Sequence, residues 1–384
     1  MKSTVLSSGK YKAAGIIVSI AALSMVFFPA VVLKSAQQGI ELWAVSVLPA
    51  LLPFFLCSDL MISLGIPSIV GAVFEKPFQK LFGTPGSSAF VFIISITSGY
   101  PMGAKIIGQM RRSGDLKDRD GIRMLSFCSN SGPLFMLGTV GAGLLHSPEA
   151  GAVVASSHYA AAIINGLLFR TSEKKETDGR NINRNQYADL TGEKKSILDM
   201  LTSSMLSSVK TLFIICCYII IFTYATDLLD MTGVFCGLKS QHNSGLIKGL
   251  LEMTIGLNDI SVSGDAGLRL KCTMSAFLVS FGGLSVMAQS MSVLKGLKIN
   301  GLTYLWIKLS HGIIAGLLAY CFAPFFLNRA VHDVGLFGGF TNAFQSGFLM
   351  QLLFSTKMII IITALFILTV AIELLMSSGK ETKD

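Results

Sequence analysis

Apolar stretches separated by short polar ones fill most of the chain. Several approach the ~20 apolar residues that a bilayer-spanning helix needs. They predict spanning helices near 13–33, 41–64, 122–146, 151–169, 199–228, 271–294, 302–327 and 350–376. The stretch 199–228 is longer than a span requires and is expected to start as an interfacial helix. Two further segments, 86–112 and 244–268, are interrupted by polar residues and read as re-entrant helical hairpins that enter and leave on the same side. The expected fold is all-α and polytopic, with about eight spanning helices plus two hairpins.

The most informative interruption is Ser98-Gly99-Tyr100-Pro101-Met102-Gly103-Ala104-Lys105, set between Ala89–Ile96 and Ile106-Ile107. An ordinary spanning helix does not carry Gly-Tyr-Pro in its middle. Irregular backbone at membrane depth persists only where it is buried in protein or lines a wet cavity. The break is therefore a candidate substrate site, and the chain a candidate transporter.

Composition agrees with a membrane protein. Of 384 residues, 52% are hydrophobic and 14% charged, against about 25% charged in soluble domains. Mean hydropathy is +0.64. The net charge of +9 does not indicate nucleic acid, because the basic residues sit in short loops beside apolar segments. The seven cysteines, at 57, 128, 216, 217, 236, 272 and 321, form no CxxC pair and read as small buried residues rather than a metal or disulfide framework. The run from Ala13 to Leu33 exceeds a signal-peptide core, and Lys34 spoils a cleavage region. It is expected to be a retained helix.

Charge sets the topology. With the N-terminus inside, Lys76, Lys80, Arg111, Arg112, Lys117, Arg119, Arg123 and the basic residues of the linker 170–198 fall on one face. Lys295, Lys298, Lys380 and Lys383 follow them there, with Lys34, Lys239, Lys248, Arg269, Lys271 and Arg329 as exceptions. This excess supports both termini on the cytoplasmic side. The linker is polar, without a hydrophobic period, and reads as a flexible cytoplasmic-side loop. It divides the chain into a first helix (1–36), a first repeat (37–169), a second, inverted repeat (199–328) and a C-terminal helix with its tail (329–384). Each repeat reads helix, broken hairpin, broken helix, helix. Inverted repeats with Gly/Pro-interrupted segments point to a secondary transporter with a midplane site.

Broken helices expose amides at half-helix N-termini, which favour anions, and carbonyls at C-termini, which favour cations. In the first repeat Ser98, Gly99 and Tyr100 offer amides and hydroxyls, Pro101 starts the second half-helix, and Gly103 follows. Lys105 is either a charge that meets an anionic substrate or a lysine snorkelling to the interface. Asn130-Ser131-Gly132-Pro133 is either a second wall of the site or a packing kink. In the second repeat Thr254, Gly256 and Asn258 are expected at the hairpin tip, and Ser280 with Gly282-Gly283 at a helix break. Glu252 is a candidate coupling group for a proton or cation, or the partner of a basic residue; Asp59 and Asp227 are further acids near helix ends. His146, His158, His242, His311 and His332 show no ligand spacing, and Lys308 and Glu373 read as anchors near helix ends. No Walker A, GxSxG or HExxH motif occurs. No catalytic residue, metal or cofactor is expected.

At these motifs the chain resembles the sporulation integral membrane protein family of endospore-forming bacteria. The carrying residues are Ser98–Lys105, Asn130-Ser131-Gly132-Pro133-Leu134-Phe135 and Leu251-Glu252-Met253-Thr254-Ile255-Gly256. The resemblance implies a nucleoside-recognition, or gate, domain related to concentrative nucleoside transporters. It further implies import of dipicolinic acid across the outer forespore membrane, from mother cell toward forespore. Dipicolinate is a flat pyridine with two carboxylates. A half-helix amide end, Lys105, Ser98 and Ser131 would suit one carboxylate, Asn130 and the opposing hairpin the other, and Tyr100 could stack on the ring. The expected partners are this organic anion, the bilayer, a coupling proton or cation, and further copies of the chain. A nucleoside or nucleobase carrier, for which Glu252 could hold ribose hydroxyls, and a non-transporting sporulation scaffold are the alternatives.

Overall fold

A computed structural model describes residues 9–170, 197–235, 240–294 and 296–327. Nearly all of the linker, the C-terminal helix expected over 350–376, Cys236 and His332 lie outside the described residues. Within them the chain is helical, without strands.

The N-terminal part departs from the expected spans, and prolines are the reason. Helix α1 (Gly9–Phe27) does not run on to residue 33. It ends before Pro29, where α2 (Pro29–Leu42) begins at a 105° bend. A residue before proline is pushed out of the helical region, and Phe28 has φ −124° and ψ 56°. From α2 the chain passes through a π-helical turn at Trp43–Val47 into α3 (Leu48–Ser63). Pro49 lacks an amide hydrogen and crowds the carbonyl four residues back, so the ladder widens there. A second bend, of 81°, separates α3 from α4 (Ile66–Phe82), at Gly65 with φ +73°. The expected helix over 41–64 thus begins earlier, within α2.

The first hairpin is α5 (Ser87–Ser98) and α6 (Met102–Arg112). The expected span over 122–146 is not one helix. It is α7 (Asp118–Leu125), an irregular stretch through 126–133, and a π-helix at Leu134–Leu144. Then come α8 (Pro148–Leu168) and α9 (Ile197–Met231), whose 35 residues reach about 52 Å at 1.5 Å per residue. The second hairpin is α10 (Gln241–Leu251) and α11 (Met253–Val262); α12 (Leu268–Phe281) and α13 (Gly283–Val293) form a helix broken at Gly282, and α14 (Gly301–Leu327) closes the described chain. Among the described residues four helices are long and apolar enough to cross a membrane, or up to six if each bent pair counts as one span. The chain is an integral, multi-pass membrane protein.

Helices α8, α12 and α14 pack together at the centre. Helix α9 carries α2 and α3 along its length. Gly39 of α2 sits on Ile220, Ser35 Oγ donates to Asp227 Oδ2 at 2.6 Å, and Trp43 Nε1 donates to the Leu212 carbonyl at 2.9 Å. Small residues at such a seam let helices approach where no hydrophobic gain drives them together. Apolar side chains such as Val26, Leu206, Leu317 and Phe325 point outward, as a lipid-facing surface requires. Cys57, Cys217 and Cys321 also lie on exposed faces, so among the described residues only Cys128, Cys216 and Cys272 are buried as expected.

Two contacts give direct tests. Gly256 of α11 lies against α10: a Cβ there would come within 2.2 Å of Gly249 Cα. Gly256→Val should lower stability by about 1–3 kcal/mol, read as a lower midpoint of thermal unfolding in detergent. On the charged face, Arg111 Nε and the Lys298 amide both donate to Asp118 Oδ1, at 2.7 and 3.0 Å. These bonds, Arg111 first, hold the Asp118 carboxyl down at about 2. A lowered carboxyl stabilises the fold above its unfolded value, and that contribution is lost as pH falls through the folded value. Amide exchange at Lys298 should therefore rise as pH drops from about 4 toward 2, beyond the intrinsic trend, and Asp118→Asn should abolish the change.

Candidate functional site

Each hairpin tip lies on a helix break. The first tip, Gly99, has φ +80°, and a Cβ on it would come within 2.8 Å of the Gly132 amide nitrogen. Only a glycine allows both the conformation and the approach. Gly103, at the start of α6, is pressed still more closely on the Cys128 carbonyl. The Tyr100–Pro101 peptide between them is cis. In the second half a Cβ on Gly283, at φ +70°, would meet the Gly249 and Leu251 carbonyls and the Met253 amide, within 2.9–3.3 Å. Those atoms belong to the second hairpin and its tip.

The first break is held by side chains from elsewhere in the fold. The Ser131 amide donates to His158 Nε2 at 3.0 Å. That nitrogen therefore carries no proton, and Nδ1, with the hydrogen, donates to Ser280 Oγ at 2.7 Å. Tyr159 Oη donates to the Ser131 carbonyl at 3.1 Å. Lys308 Nζ donates to the Ser129 carbonyl at 3.0 Å and to Tyr100 Oη at 3.2 Å. Tyr304 Oη pairs with Ser129 Oγ at 2.9 Å, and His311 Nε2 donates to the His158 carbonyl at 3.1 Å. Asn130 donates to Ser95 Oγ and the Phe127 carbonyl, while its Oδ1 is buried with no hydrogen-bond partner among the described residues. At the second break Tyr100 Oη donates to the Val279 carbonyl at 2.6 Å. The Gly282-Gly283 turn withdraws the amide that this carbonyl would otherwise accept, so Tyr100 replaces it.

The structure thus brings Gly99, Tyr100, Pro101, Ser131, Gly132, Ser280 and Gly282 to one junction. Ser98 is beside it, its hydroxyl turned back to the Ile94 carbonyl at 2.6 Å. Three expectations for the second hairpin need correction. Thr254, Gly256 and Asn258 are not its tip but lie within α11, and Asn258 is exposed. The tip is Glu252, whose carboxylate accepts from the Thr254 and Ile255 amides at 2.7 and 3.0 Å and from the Thr254 hydroxyl. A carboxylate in this place caps the helix, so the turn closes two residues before the polar cluster.

The two lysines exchange their expected places. Lys105 neither snorkels nor stands alone: it is buried and donates to Asp59 Oδ2 of α3 at 2.7 Å, with Gln109 and Ser208 reaching the same carboxylate at 3.4 and 3.5 Å. Lys308 is not an interfacial anchor; it is 2% exposed, at the junction. Sequence reasoning missed Lys308, His158 and His311. A signal existed, because Tyr304, Lys308 and His311 are spaced to share one face of a helix.

No family model matches the chain. It is similar to the sporulation integral membrane protein YlbJ of Bacillus subtilis (strain 168), 28% identical over 319 residues, with 76% of this chain and 78% of YlbJ covered. It is also similar to a solved structure of a doubly substituted CNTnw in an outward-facing state, with a TM-score of 0.42, 12% identity, and 84% and 85% of the two chains covered.

Breaking a buried ion pair by removing one partner leaves a bare charge, at a cost of about 3–5 kcal/mol. Asp59→Asn or Lys105→Met alone should therefore lower folded yield and melting temperature sharply. The double variant should recover much of the loss, because it leaves no uncompensated charge.

Proposed function

We propose that this chain is a secondary transporter of a small organic anion, namely dipicolinate carried from mother cell toward forespore during sporulation. One observation carries the reading: two helical hairpin tips resting on two helix breaks, held together by buried polar side chains deep in the fold. Such irregular backbone is tolerated in a bilayer only where it is buried in protein or lines a cavity. Paired broken elements around one point are what a carrier with a midplane site requires.

The order of elements supports two repeats, over 37–169 and 199–328, with one bundle moving against the other around the junction. The charge distribution supports cytoplasmic termini. The similarity to YlbJ, which its name describes as a sporulation integral membrane protein, supports the sporulation setting. Of the alternatives, the nucleoside carrier loses ground at Glu252, whose carboxylate is taken up as a helix cap. A scaffold would not need the paired breaks.

Proteoliposomes of the purified protein should take up labelled dipicolinate saturably, and excess uridine should not compete. Competition by uridine would turn the reading to a nucleoside carrier. Absence of uptake by folded, reconstituted protein would overturn transport of this anion.

A further inference from the structure

Lys308 is buried where the first hairpin tip and both breaks meet. Its two hydrogen bonds go to neutral acceptors, the Ser129 carbonyl and the Tyr100 hydroxyl oxygen. Tyr100 gives its own hydrogen to the Val279 carbonyl and so can only accept from the lysine. An ammonium has three N–H donors, and the third has no acceptor among the described residues. No carboxylate of the described residues lies within 4.0 Å of it. Two other lysines of the fold are paired with carboxylates: Lys105 with Asp59, and Lys248 with Asp230 and Asp259.

The aromatic face of Tyr100, 4.5 Å from Lys308 Nζ, adds a weak attraction and no countercharge. The nearby imidazole of His158 is neutral by its hydrogen bonds. A lysine at this depth without a countercharge is expensive to keep protonated and marks a functional position. An incoming anion would supply the missing charge and the missing acceptor together.

We propose that Lys308, and not Lys105, receives a carboxylate of the transported substrate, through the donor that Tyr100 and Ser129 do not engage. The assignment rests on the transport reading above and fixes its substrate class as carboxylates. Lys105 serves a different end, joining the first hairpin to α3 through Asp59.

The test is equilibrium binding to the purified full-length protein. Dipicolinate is compared with pyridine-2,6-dicarboxamide, a neutral analogue of the same shape. Wild-type protein should prefer the dianion. Lys308→Met should weaken dipicolinate binding by at least about tenfold while leaving the diamide within about threefold, since uncharged contacts remain. Lys308→Arg should keep part of the preference for the dianion. Lys308→Gln, which retains donors without the charge, serves if the Met variant does not fold. A merely structural role would weaken both ligands alike and leave their ratio unchanged; that result overturns the assignment. Saturable dipicolinate uptake with an unaltered ligand ratio in the variants would remove the inference alone. Wild-type protein that neither binds nor transports dipicolinate would remove the transport reading and the inference with it.

Discussion

Backbone amides and carbonyls have no water to turn to inside a bilayer, and the rest of this fold follows from how its two broken helices meet that demand. Each break frees polar groups that a continuous helix would pair. At Ser129–Gly132 they are taken by His158, Tyr159 and Lys308. At Gly282-Gly283 the orphaned Val279 carbonyl is taken by Tyr100 from the opposite half. The candidate site is therefore the same set of side chains that makes the irregular backbone tolerable. Any substitution there also acts on folding, which is why the ratio between a charged and a neutral ligand is more informative than activity alone.

Much of the fold was legible because helix breaks leave local marks. Gly99-Tyr100-Pro101, Gly132-Pro133 and Gly282-Gly283 declare themselves by residue type, and the structure has a break or a tip at each. What was not legible depends on partners far away in sequence. Lys105 looks unpaired until Asp59, 46 residues earlier, is brought beside it. Lys308 looks like an end-of-helix anchor until α14 is seen to run to Leu327 with the lysine buried along it. The second tip lies two residues before the polar cluster Thr254–Asn258, because the carboxylate that caps the helix belongs to Glu252. The early bends at Phe28 and Gly65 were written in Pro29 and Gly65 but hidden by unbroken hydrophobicity.

The two hairpins close in chemically different ways. The second carries its own anion at the start of α11. The first has a neutral tyrosine at its tip and no side-chain cap on α6. A lysine from α14 stands over that tyrosine. The asymmetry means that the two hairpins do not offer equivalent surroundings to a charged ligand.

The hydrogen bonds that satisfy the breaks also impose an order on how the molecule can be made. Tyr100 waits for Val279, 179 residues later, and Ser129 waits for Tyr304 and Lys308, 175 and 179 residues later. A ribosome delivering this chain has inserted both the first hairpin and the first break long before their partners emerge. Until α14 arrives, the first half must hold open polar backbone inside the membrane, sheltered by whatever the insertion machinery and its own neighbours provide. Residues 1–169 made alone would keep that debt permanently, so the parts before and after the linker are not independent folding units.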